Sequence, residues 1–177
     1  MDRSKAGIFE YSKETNELMR DGGLLLVSGG QGKPNAMTIG WGFLGTIWRN
    51  PYFLVAVRES RFTHDLLEGS DGFTVCLPGR DMEGALEICG TKSGRDLDKF
   101  KELGLKADRS PTIKTPYIEE SPIYYECEIK YKHDLEKDKL PESLRYDVYP
   151  GGDLHTIYYG EVLGTWAVKD ARDKIPR

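Results

Sequence analysis

Two short segments place cationic and hydroxyl side chains where helices are predicted to begin, and both could bind an anion. The first runs from Arg58 to Leu67 and contains Ser60, Arg61 and Thr63. The second runs from Lys92 to Phe100 and begins with lysine, serine, glycine and arginine in succession. The first turn of a helix leaves backbone N–H groups unpaired and carries a partial positive charge. With the added cations and hydroxyls, such a site can hold a phosphate through charge-assisted hydrogen bonds.

Each segment also has an ordinary structural interpretation. Thr63 can be a plain N-cap with the neighbouring arginines in solvent, because threonine is common at that position. The second segment can be a surface helix in which Asp96 and Lys99 form an i,i+3 ion pair. Two such segments and a turn-rich loop at residues 29–35, all in one small acidic chain, favour a site for one small anionic ligand.

The bulk composition limits the class of protein. With 177 residues and a mass of 20.0 kDa, the chain is predicted to form a single domain over residues 1–177. Its net charge of −4 argues against a nucleic-acid surface, which depends on neutralising phosphates. The longest apolar run, Tyr52 to Val57, is far too short to span a membrane, and the N-terminal residues lack the apolar core of a signal peptide. We therefore expect neither nucleic acid nor membrane as a partner.

The cysteines and histidines bear on location and on metal binding. Cys76, Cys89 and Cys127 are odd in number and widely spaced, which is typical of reduced thiols in a cytoplasmic protein. The three histidines show no ligand spacing with each other or with the cysteines. We expect a cytoplasmic protein and no metal site.

The pattern of apolar residues predicts a mainly β chain with a few short helices. Strands are expected at residues 24–28, 36–43, 53–58, 72–77, 123–133 and 155–168. Helices are expected at residues 13–20, with Ser12 as N-cap, and at residues 63–67, 82–88 and 96–103. Residues 136–144 are expected to form an exposed charged loop. Because most strands connect through turns, the pattern favours an antiparallel barrel or sandwich over a doubly wound parallel sheet.

The segment from Gly40 to Gly45 matches the pattern G-x-G-x-x-G, and Glu59 lies near the distance expected for a ribose-binding acid. A dinucleotide fingerprint must lead directly into a helix, whereas a β-rich segment at residues 52–57 follows here. We therefore expect these glycines to permit bulges, or the close approach of a flat ligand to the backbone.

The aromatic residues and one histidine each have two interpretations. The aromatic residues could form a wall for a flat ligand, but core packing is the expectation for most of them: Trp41, Trp48, Tyr124, Tyr125, Tyr158 and Tyr159. His155 follows a turn-like Pro-Gly-Gly-Asp sequence, and its position alone favours an exposed histidine at a strand end.

An ordered set of short motifs resembles a known family. The motifs are Asn35-Ala-Met-Thr38 followed by Trp41, Pro51, Ser60-Arg-Phe-Thr63, Lys92-Ser-Gly-Arg-Asp-Leu-Asp-Lys-Phe100, and His155-Thr-Ile-Tyr-Tyr-Gly-Glu-Val162. In this order they resemble the flavin reductase-like, FMN-binding split-barrel family, and within it the flavoredoxin-type branch. The resemblance extends over residues 20–168, approximately.

The resemblance implies a split-barrel homodimer with one FMN per subunit, bound near the dimer interface. By the same resemblance, the residues along the isoalloxazine ring or ribityl chain are Asn35, Ala36, Met37, Thr38 and Trp41. Those at the phosphate end are Arg58, Ser60, Arg61 and Thr63, and further cofactor contacts are Lys92, Ser93 and Lys99. His155 is implied to face the reactive part of the ring, which makes it the candidate catalytic residue. Gly40 stands where many relatives carry a serine, so only its backbone N–H is available there.

The resemblance leaves three functions open. The first is an FMN-dependent oxidoreductase that takes electrons from NADH or NADPH and passes them to free flavin or another acceptor. The second is a flavoredoxin-like electron carrier whose FMN is reduced by a redox-protein partner. The third is a barrel that binds an anionic ligand without redox chemistry. Since flavin carries the hydride chemistry, the first two require no nucleophile or acid–base pair from the protein.

Overall fold

A computed structural model describes residues 2–30 and 33–176 of the protein. Gln31 and Gly32, which belong to the predicted turn-rich loop, lie outside the described residues. The strands are β1 Arg3–Ala6, β2 Leu24–Ser28, β3 Asn35–Ile39, β4 Gly42–Ile47, β5 Asn50–Arg58, β6 Gly72–Leu77, β7 Ala107–Asp108, β8 Tyr117–Ile118, β9 Ile123–Asp134 and β10 His155–Val168. The helices are α1 Ser12–Arg20, α2 Phe62–Glu68, α3 Glu83–Thr91, α4 Lys99–Leu103 and α5 Glu142–Asp147, with single 3₁₀ turns at Lys137–Lys139 and Ala171–Asp173.

One antiparallel sheet forms the body of the molecule. Its strand order is β3-β2-β6-β9-β10-β5-β4, and β1 pairs with the C-terminal part of β10, beyond the part that pairs with β5. The two edge strands, β3 and β4, are joined by only two residues, so the sheet must curl until its edges lie side by side. No β3–β4 ladder exists among the described residues, and the barrel is therefore split along this seam.

The prediction of one strand over residues 36–43 is wrong, because the chain breaks between β3 and β4. A Cβ atom on Gly42 would lie 2.1 Å from the Leu54 carbonyl oxygen, so only glycine fits the first position of β4. This close contact is with another strand, and the expected approach of a flat ligand to these glycines stays a prediction. The segment from Gly40 to Gly45 is followed by a strand and not by a helix. The G-x-G-x-x-G pattern therefore does not form a dinucleotide-binding turn here.

Two apolar clusters explain why several strands are apolar along their whole length. In β2, Leu24 and Leu26 pack inside the barrel against Phe53, Phe73 and other inward-facing side chains. Leu25 and Val27 pack on the opposite face, in the cluster that β2 and β3 share with α3 and α4. Because both faces of β2 are buried, apolar and polar residues do not alternate along this strand.

The predicted aromatic core is correct for some residues and wrong for others. Tyr124, Tyr125 and Tyr158 are buried. Trp41 and Trp48 are 48% and 61% exposed, and Tyr159 is only partly buried. Trp41 lies in the connection between β3 and β4, and Trp48 in the connection between β4 and β5, positions that the sequence pattern does not distinguish from strand positions in the core.

The remaining predicted elements differ from the structure mainly at their ends. Ser12 is the first residue of α1 and not its cap, and α2 begins before Thr63, which is a buried helical residue. The third and fourth predicted helices appear as α3 and α4, and α4 begins three residues later than expected, at Lys99. The predicted loop at residues 136–144 contains the first 3₁₀ turn and the start of α5.

Three further observations concern the cysteines, metals and membranes. All three cysteines are free and buried. Within residues 2–30 and 33–176, the His, Cys, Asp and Glu side chains form no group of three or more that could hold a metal ion. In the same ranges, no helix is both long and apolar enough to cross a membrane.

Candidate functional site

Two adjoining cavities lie where β3, β5 and β10 meet α2 and α3. The first, of about 170 Å³, is lined by Met37, Thr38, Ile39, Gly40, Trp41, Ala56, Arg58, Arg61, Gly90 and His155. The second, of about 310 Å³, is lined by Asn35, Met37, Ser60, Arg61, Phe62, Thr63, Cys89, Lys92, Ser93, Gly94, Arg95, Asp96 and Lys99. Met37 and Arg61 line both, so the cavities form one groove, with the first as its aromatic end and the second as its cationic end.

The groove brings together residues that are up to 120 positions apart in the sequence. All of the predicted site residues except Ala36 line one or both cavities. Ala36 is buried, and its carbonyl oxygen accepts a hydrogen bond from the Lys99 ammonium. Arg58 lies at the aromatic end, with Trp41 and His155, rather than beside Ser60 and Thr63. The assignment of each residue to a cofactor contact stays a prediction.

The cationic end contains two cations with no partner among the residues that the structure describes. Arg61 and Lys92 are exposed, and neither side chain makes a hydrogen bond or ion pair within the described part of the chain. Arg95, in contrast, pairs with Asp65 at 2.7 Å and donates to the Ser60 carbonyl oxygen at 3.0 Å. Arg95 therefore holds the start of α2 against the loop after α3, and it leaves the two unpartnered cations available to an anion.

Lys99 has an environment that its sequence position does not reveal. Its side chain is buried, and its ammonium donates to the carbonyl oxygens of Ala36 at 2.8 Å and Cys89 at 3.0 Å. The interpretation of Lys99 as half of an exposed ion pair with Asp96 is therefore wrong. Burial lowers the pKa of this ammonium, and the nearby Arg61 guanidinium acts in the same direction. Lys99 fixes β3 to α3 and adds positive potential to the cationic end.

The hydroxyl and amide groups of the site are already hydrogen-bonded within the protein. The Asn35 amide donates to the Thr63 hydroxyl oxygen at 3.0 Å, and both residues are buried. The Ser60 hydroxyl donates to the Asp153 carboxylate at 2.7 Å, and the Thr38 hydroxyl donates to the Leu86 carbonyl oxygen. These bonds fix the walls of the groove, because each joins two different elements or loops.

Gly94 is the point of closest packing at the cationic end. A Cβ atom on this residue would lie 2.1 Å from Asn35 Oδ1 and 2.7 Å from Phe62 Cδ1. The Asn35 side chain cannot turn away without breaking its bond to Thr63. We expect Gly94→Ala to lower the free energy of unfolding by about 1–3 kcal/mol, because it overpacks a buried contact. Urea denaturation followed by circular dichroism measures this change.

Gly84 provides the control for that experiment. It is exposed on α3, and a Cβ atom added to it would have no other atom within 4 Å. Gly84→Ala should leave the stability unchanged or raise it by up to about 1 kcal/mol, as expected for alanine in a helix. An unfolding midpoint of Gly94→Ala equal to that of the original chain would show that the contact at residue 94 is not tight.

The aromatic end is built around His155, the first residue of β10. The imidazole lies 4.8 Å from the Trp41 ring, centroid to centroid, at an interplanar angle of 40°. Its Nδ1 atom is 2.8 Å from the Tyr149 hydroxyl oxygen. The Arg58 guanidinium lies over both the Trp41 and Tyr149 rings, at 5.9 and 5.1 Å from their centroids. Stacked cationic and aromatic groups of this kind hold one another in a fixed arrangement.

The interpretation of His155 from its sequence position needs correction. It is buried, with 7% of its surface exposed, so the interpretation as an exposed histidine at a strand end is wrong. Burial, together with the cations Arg58 and Arg61, lowers its pKa to about 4 against the opposing effect of Asp153. The imidazole is therefore neutral near pH 7 and does not titrate around pH 6.5 as an unperturbed histidine would.

Sequence reasoning missed several residues of the groove. Arg95 lies inside a motif that was identified, so its basic side chain was a usable signal. Gly90 and Gly94 had no signal beyond their residue type. Tyr149 and Asp153 lie on the loop before β10, and only the fold shows that this loop packs against the end of β5.

Comparison with known proteins identifies the family of this chain. The family model described as "Flavin reductase like domain" matches residues 19–175. An uncharacterised protein of Pyrococcus abyssi is 30% identical over 140 residues, which cover 78% of this chain and 69% of the relative.

Two solved structures share the fold at lower identity. The flavoredoxin of Desulfovibrio vulgaris has a TM-score of 0.66 and 22% identity, covering 87% of this chain and 74% of its own. The NADH:FAD oxidoreductase of Streptomyces globisporus has a TM-score of 0.63 and 20% identity, covering 93% of this chain and 89% of its own. The expected fold, a mostly antiparallel split barrel, is confirmed by the strand order and by such neighbours.

Proposed function

This chain belongs to the flavin reductase-like domain family, and we propose that it is an FMN-dependent oxidoreductase. In this proposal, NADH or NADPH supplies the electrons, and free flavin or another acceptor receives them. The observation that carries the proposal is the groove itself, which joins two unpartnered cations to an aromatic slot that ends in a neutral histidine. FMN has a matching order of groups, with a phosphate at one end and a flat ring system at the other.

The cationic end suits the phosphate. Arg61 and Lys92 lack partners among the described residues, and the Ser93 side chain lies beside them. Arginine and lysine bind phosphate through charge-assisted hydrogen bonds, which are about twice as strong as neutral ones. Asp96 lines the same cavity with the opposite charge. The positive charges nevertheless outnumber it, since Lys99 and Arg95 also line the cavity.

The aromatic end suits a flat ring. Trp41 presents an exposed indole, and Gly40 and Gly90 contribute backbone without side chains. A Cβ atom on Gly90 would touch the Thr38 side chain at 3.4 Å, so a larger residue there would fill the slot. The chain thus supplies a narrow, partly apolar space, as expected for the ring-binding part of a cofactor site.

The chemistry of the proposed reaction belongs to the cofactor. When bound, FMN would supply the redox chemistry, namely the uptake and release of electrons at its ring. The protein's residues would bind and orient it: Arg61 and Lys92 would hold the phosphate, Trp41 would support the ring, and His155 would offer an imidazole nitrogen at the reactive end. Because His155 is neutral, it can donate a hydrogen bond without adding a fixed positive charge.

The flavoredoxin-like carrier is the second candidate function. The structural likeness to a flavoredoxin favours it. A barrel that binds an anion without redox chemistry is the third candidate. In each case we propose a cytoplasmic location, in keeping with three free, buried cysteines.

Anaerobic reduction of the purified protein separates the three candidates. A yellow protein that is bleached within seconds by NADH or NADPH supports the oxidoreductase. A yellow protein that is bleached by a reduced redox protein, but not by either nicotinamide, supports the carrier. A colourless protein that does not take up added FMN would contradict both.

We also propose that the protein is a homodimer whose interface completes the aromatic end of the groove. The outer face of the sheet carries a cluster of aromatic rings, formed by Trp48, Tyr52, Tyr131 and Tyr159, with centroids 5.3–6.3 Å apart. Trp48 and Tyr131 are 61% and 50% exposed, and Trp41, at the groove, lies at the opposite end of β4 from Trp48. Contiguous exposed aromatic surface of this kind marks a protein contact. A second copy would also cover the half-exposed Trp41.

We expect sedimentation to give about twice 20.0 kDa, the mass of one chain. Tyr131→Glu should reduce this to a single chain at micromolar concentration, because it introduces a charge into the centre of the aromatic cluster. Phe9→Glu is the control, since Phe9 is also exposed but lies in the turn before α1. A monomeric original chain that binds FMN tightly would contradict the proposal.

A further inference from the structure

The loop at residues 148–154 forms an arch that joins α5 to β10 and passes beside the aromatic end of the groove. The Arg58 guanidinium donates hydrogen bonds to both ends of this arch. The acceptors are the carbonyl oxygens of Asp153, at 2.6 Å, and Val148, at 3.3 Å. The Asp153 carboxylate in turn accepts from the backbone N–H and the hydroxyl of Ser60. The arch is therefore fixed at both of its ends to the end of β5.

This arrangement places one side chain of the arch against the candidate catalytic residue. The Tyr149 hydroxyl oxygen lies 2.8 Å from Nδ1 of His155, and both residues are buried. The Tyr149 ring is also covered by the Arg58 guanidinium. A phenol that is packed on one side by a cation and hydrogen-bonded at its tip has little freedom to move.

The chemistry of the two groups determines the direction of the hydrogen bond. A neutral imidazole has one nitrogen that donates and one that accepts. A phenol is a stronger hydrogen-bond donor than a neutral imidazole N–H, and the imidazole nitrogen is a stronger base than the phenol oxygen. Tyr149 O–H therefore donates to Nδ1, and the ring proton of His155 resides on Nε2. Burial raises the pKa of Tyr149, so the phenol keeps its proton.

The other ring nitrogen, Nε2, has no partner in the described part of the chain. Within residues 2–30 and 33–176, Nε2 of His155 makes no hydrogen bond, although the residue lines the cavity at the aromatic end. A protonated Nε2 is a donor, whereas an unprotonated Nε2 would be an acceptor. The state of the Nδ1 hydrogen bond thus decides which kind of group the imidazole offers to a ligand in the groove.

We infer that Tyr149 is a positioning residue that fixes the Nε2–H tautomer and the orientation of His155, so that the imidazole serves as a hydrogen-bond donor at the aromatic end of the groove. The effect on electron transfer rests on the proposed function, but the tautomer itself does not. The charged groups around the imidazole are Arg58, Arg61 and Asp153, and none of them replaces the phenol as a partner of Nδ1.

Nitrogen NMR of the cofactor-free protein tests the tautomer without any turnover. In the ¹⁵N-labelled chain we expect the His155 signals, identified by their absence in His155→Ala, to show a protonated Nε2 and an unprotonated, hydrogen-bonded Nδ1. In Tyr149→Phe we expect this single tautomer to be replaced by a mixture. Tyr146→Phe is the matched control, because it removes a phenol hydroxyl from a residue on α5 that is 69% exposed. A protonated Nδ1 in the original chain, or an unchanged tautomer in Tyr149→Phe, would overturn the inference.

A double-mutant cycle on the FMN-loaded protein tests the functional consequence. We expect Tyr149→Phe to retain FMN and to be reduced roughly 3- to 10-fold more slowly, as for the loss of one neutral hydrogen bond. Because Tyr149 acts through His155, the double variant with His155→Ala should be no slower than His155→Ala alone. Additive losses would show an independent structural role for Tyr149 and overturn the inference. Failure of the original chain to bind FMN would instead defeat the proposed function, while the tautomer measurement would still stand.

Discussion

Arg61→Ala is expected to weaken FMN binding about 10- to 100-fold and to yield a folded, largely colourless protein. Arg61 lines both cavities, so it lies where the cationic end of the groove meets the aromatic end. It has no partner among the described side chains, so a bound phosphate would be its only ion-pair partner there. Losing one charge-assisted hydrogen bond costs about 1.5–3 kcal/mol. Fluorescence titration of the cofactor-free variant with FMN measures the affinity.

Arg20→Ala is the matched control for this prediction. Arg20 is an exposed arginine at the end of α1, and among the described residues its side chain makes a hydrogen bond and ion pair with Asp21 alone. We expect that variant to bind FMN as tightly as the original chain. Circular dichroism should show both variants folded. If Arg61→Ala retains its full complement of FMN through gel filtration, Arg61 does not bind the phosphate.

His155→Ala should have the opposite pattern, with nearly normal FMN binding and a rate of reduction about 10- to 100-fold lower. The imidazole lines only the aromatic end, whereas Lys92 and Ser93 line only the cationic end, so its loss is expected to remove a donor at the ring and not a phosphate contact. Hydrogen-bond donors that are preorganised at a reacting group accelerate reactions by about this factor or more. Stopped-flow mixing with NADH or NADPH, at matched flavin occupancy, measures the rate.

The pH dependence gives a second readout for His155. Because burial and the neighbouring arginines lower the pKa of the imidazole to about 4, the reduction rate should show no inflection from this group between pH 5.5 and 8, approximately. His133→Ala is the control, since His133 is exposed on β9. An unchanged rate of flavin reduction in His155→Ala would show that His155 is not a catalytic residue.

Some elements could be predicted from the sequence because local pattern and tertiary packing agree there. The strands at residues 24–28, 72–77 and 155–168 have the expected bounds. Each is rich in apolar or β-branched residues and is bounded by turn-forming residues. Most residues of the groove were identified through the family resemblance, and Ser60 and Arg61 also through their place just before the start of α2.

Other features depend on contacts between distant segments. The break between β3 and β4 follows from the approach of the Leu54 carbonyl to Gly42, which exists only after β5 has paired with β4. The burial of Lys99 follows from the packing of α4 behind β3, and the neutral state of His155 follows from its burial and from the nearby Arg58 guanidinium. A sequence pattern contains none of these distances, so the interpretations of Lys99 as half of an exposed ion pair and of His155 as an exposed histidine were both wrong.

The most direct test of the central claim is a comparison of FMN with riboflavin, which carries the same ring system without the phosphate. The cofactor-free protein is titrated with each, and quenching of flavin fluorescence gives the stoichiometry and the dissociation constant. Binding at both ends of the groove predicts one FMN per chain, and riboflavin binding at least about 10-fold weaker, because it cannot use Arg61 and Lys92. In Arg61→Ala, the difference between the affinities for FMN and riboflavin should be smaller. Equal affinities for FMN and riboflavin, or no binding of either, would contradict the account.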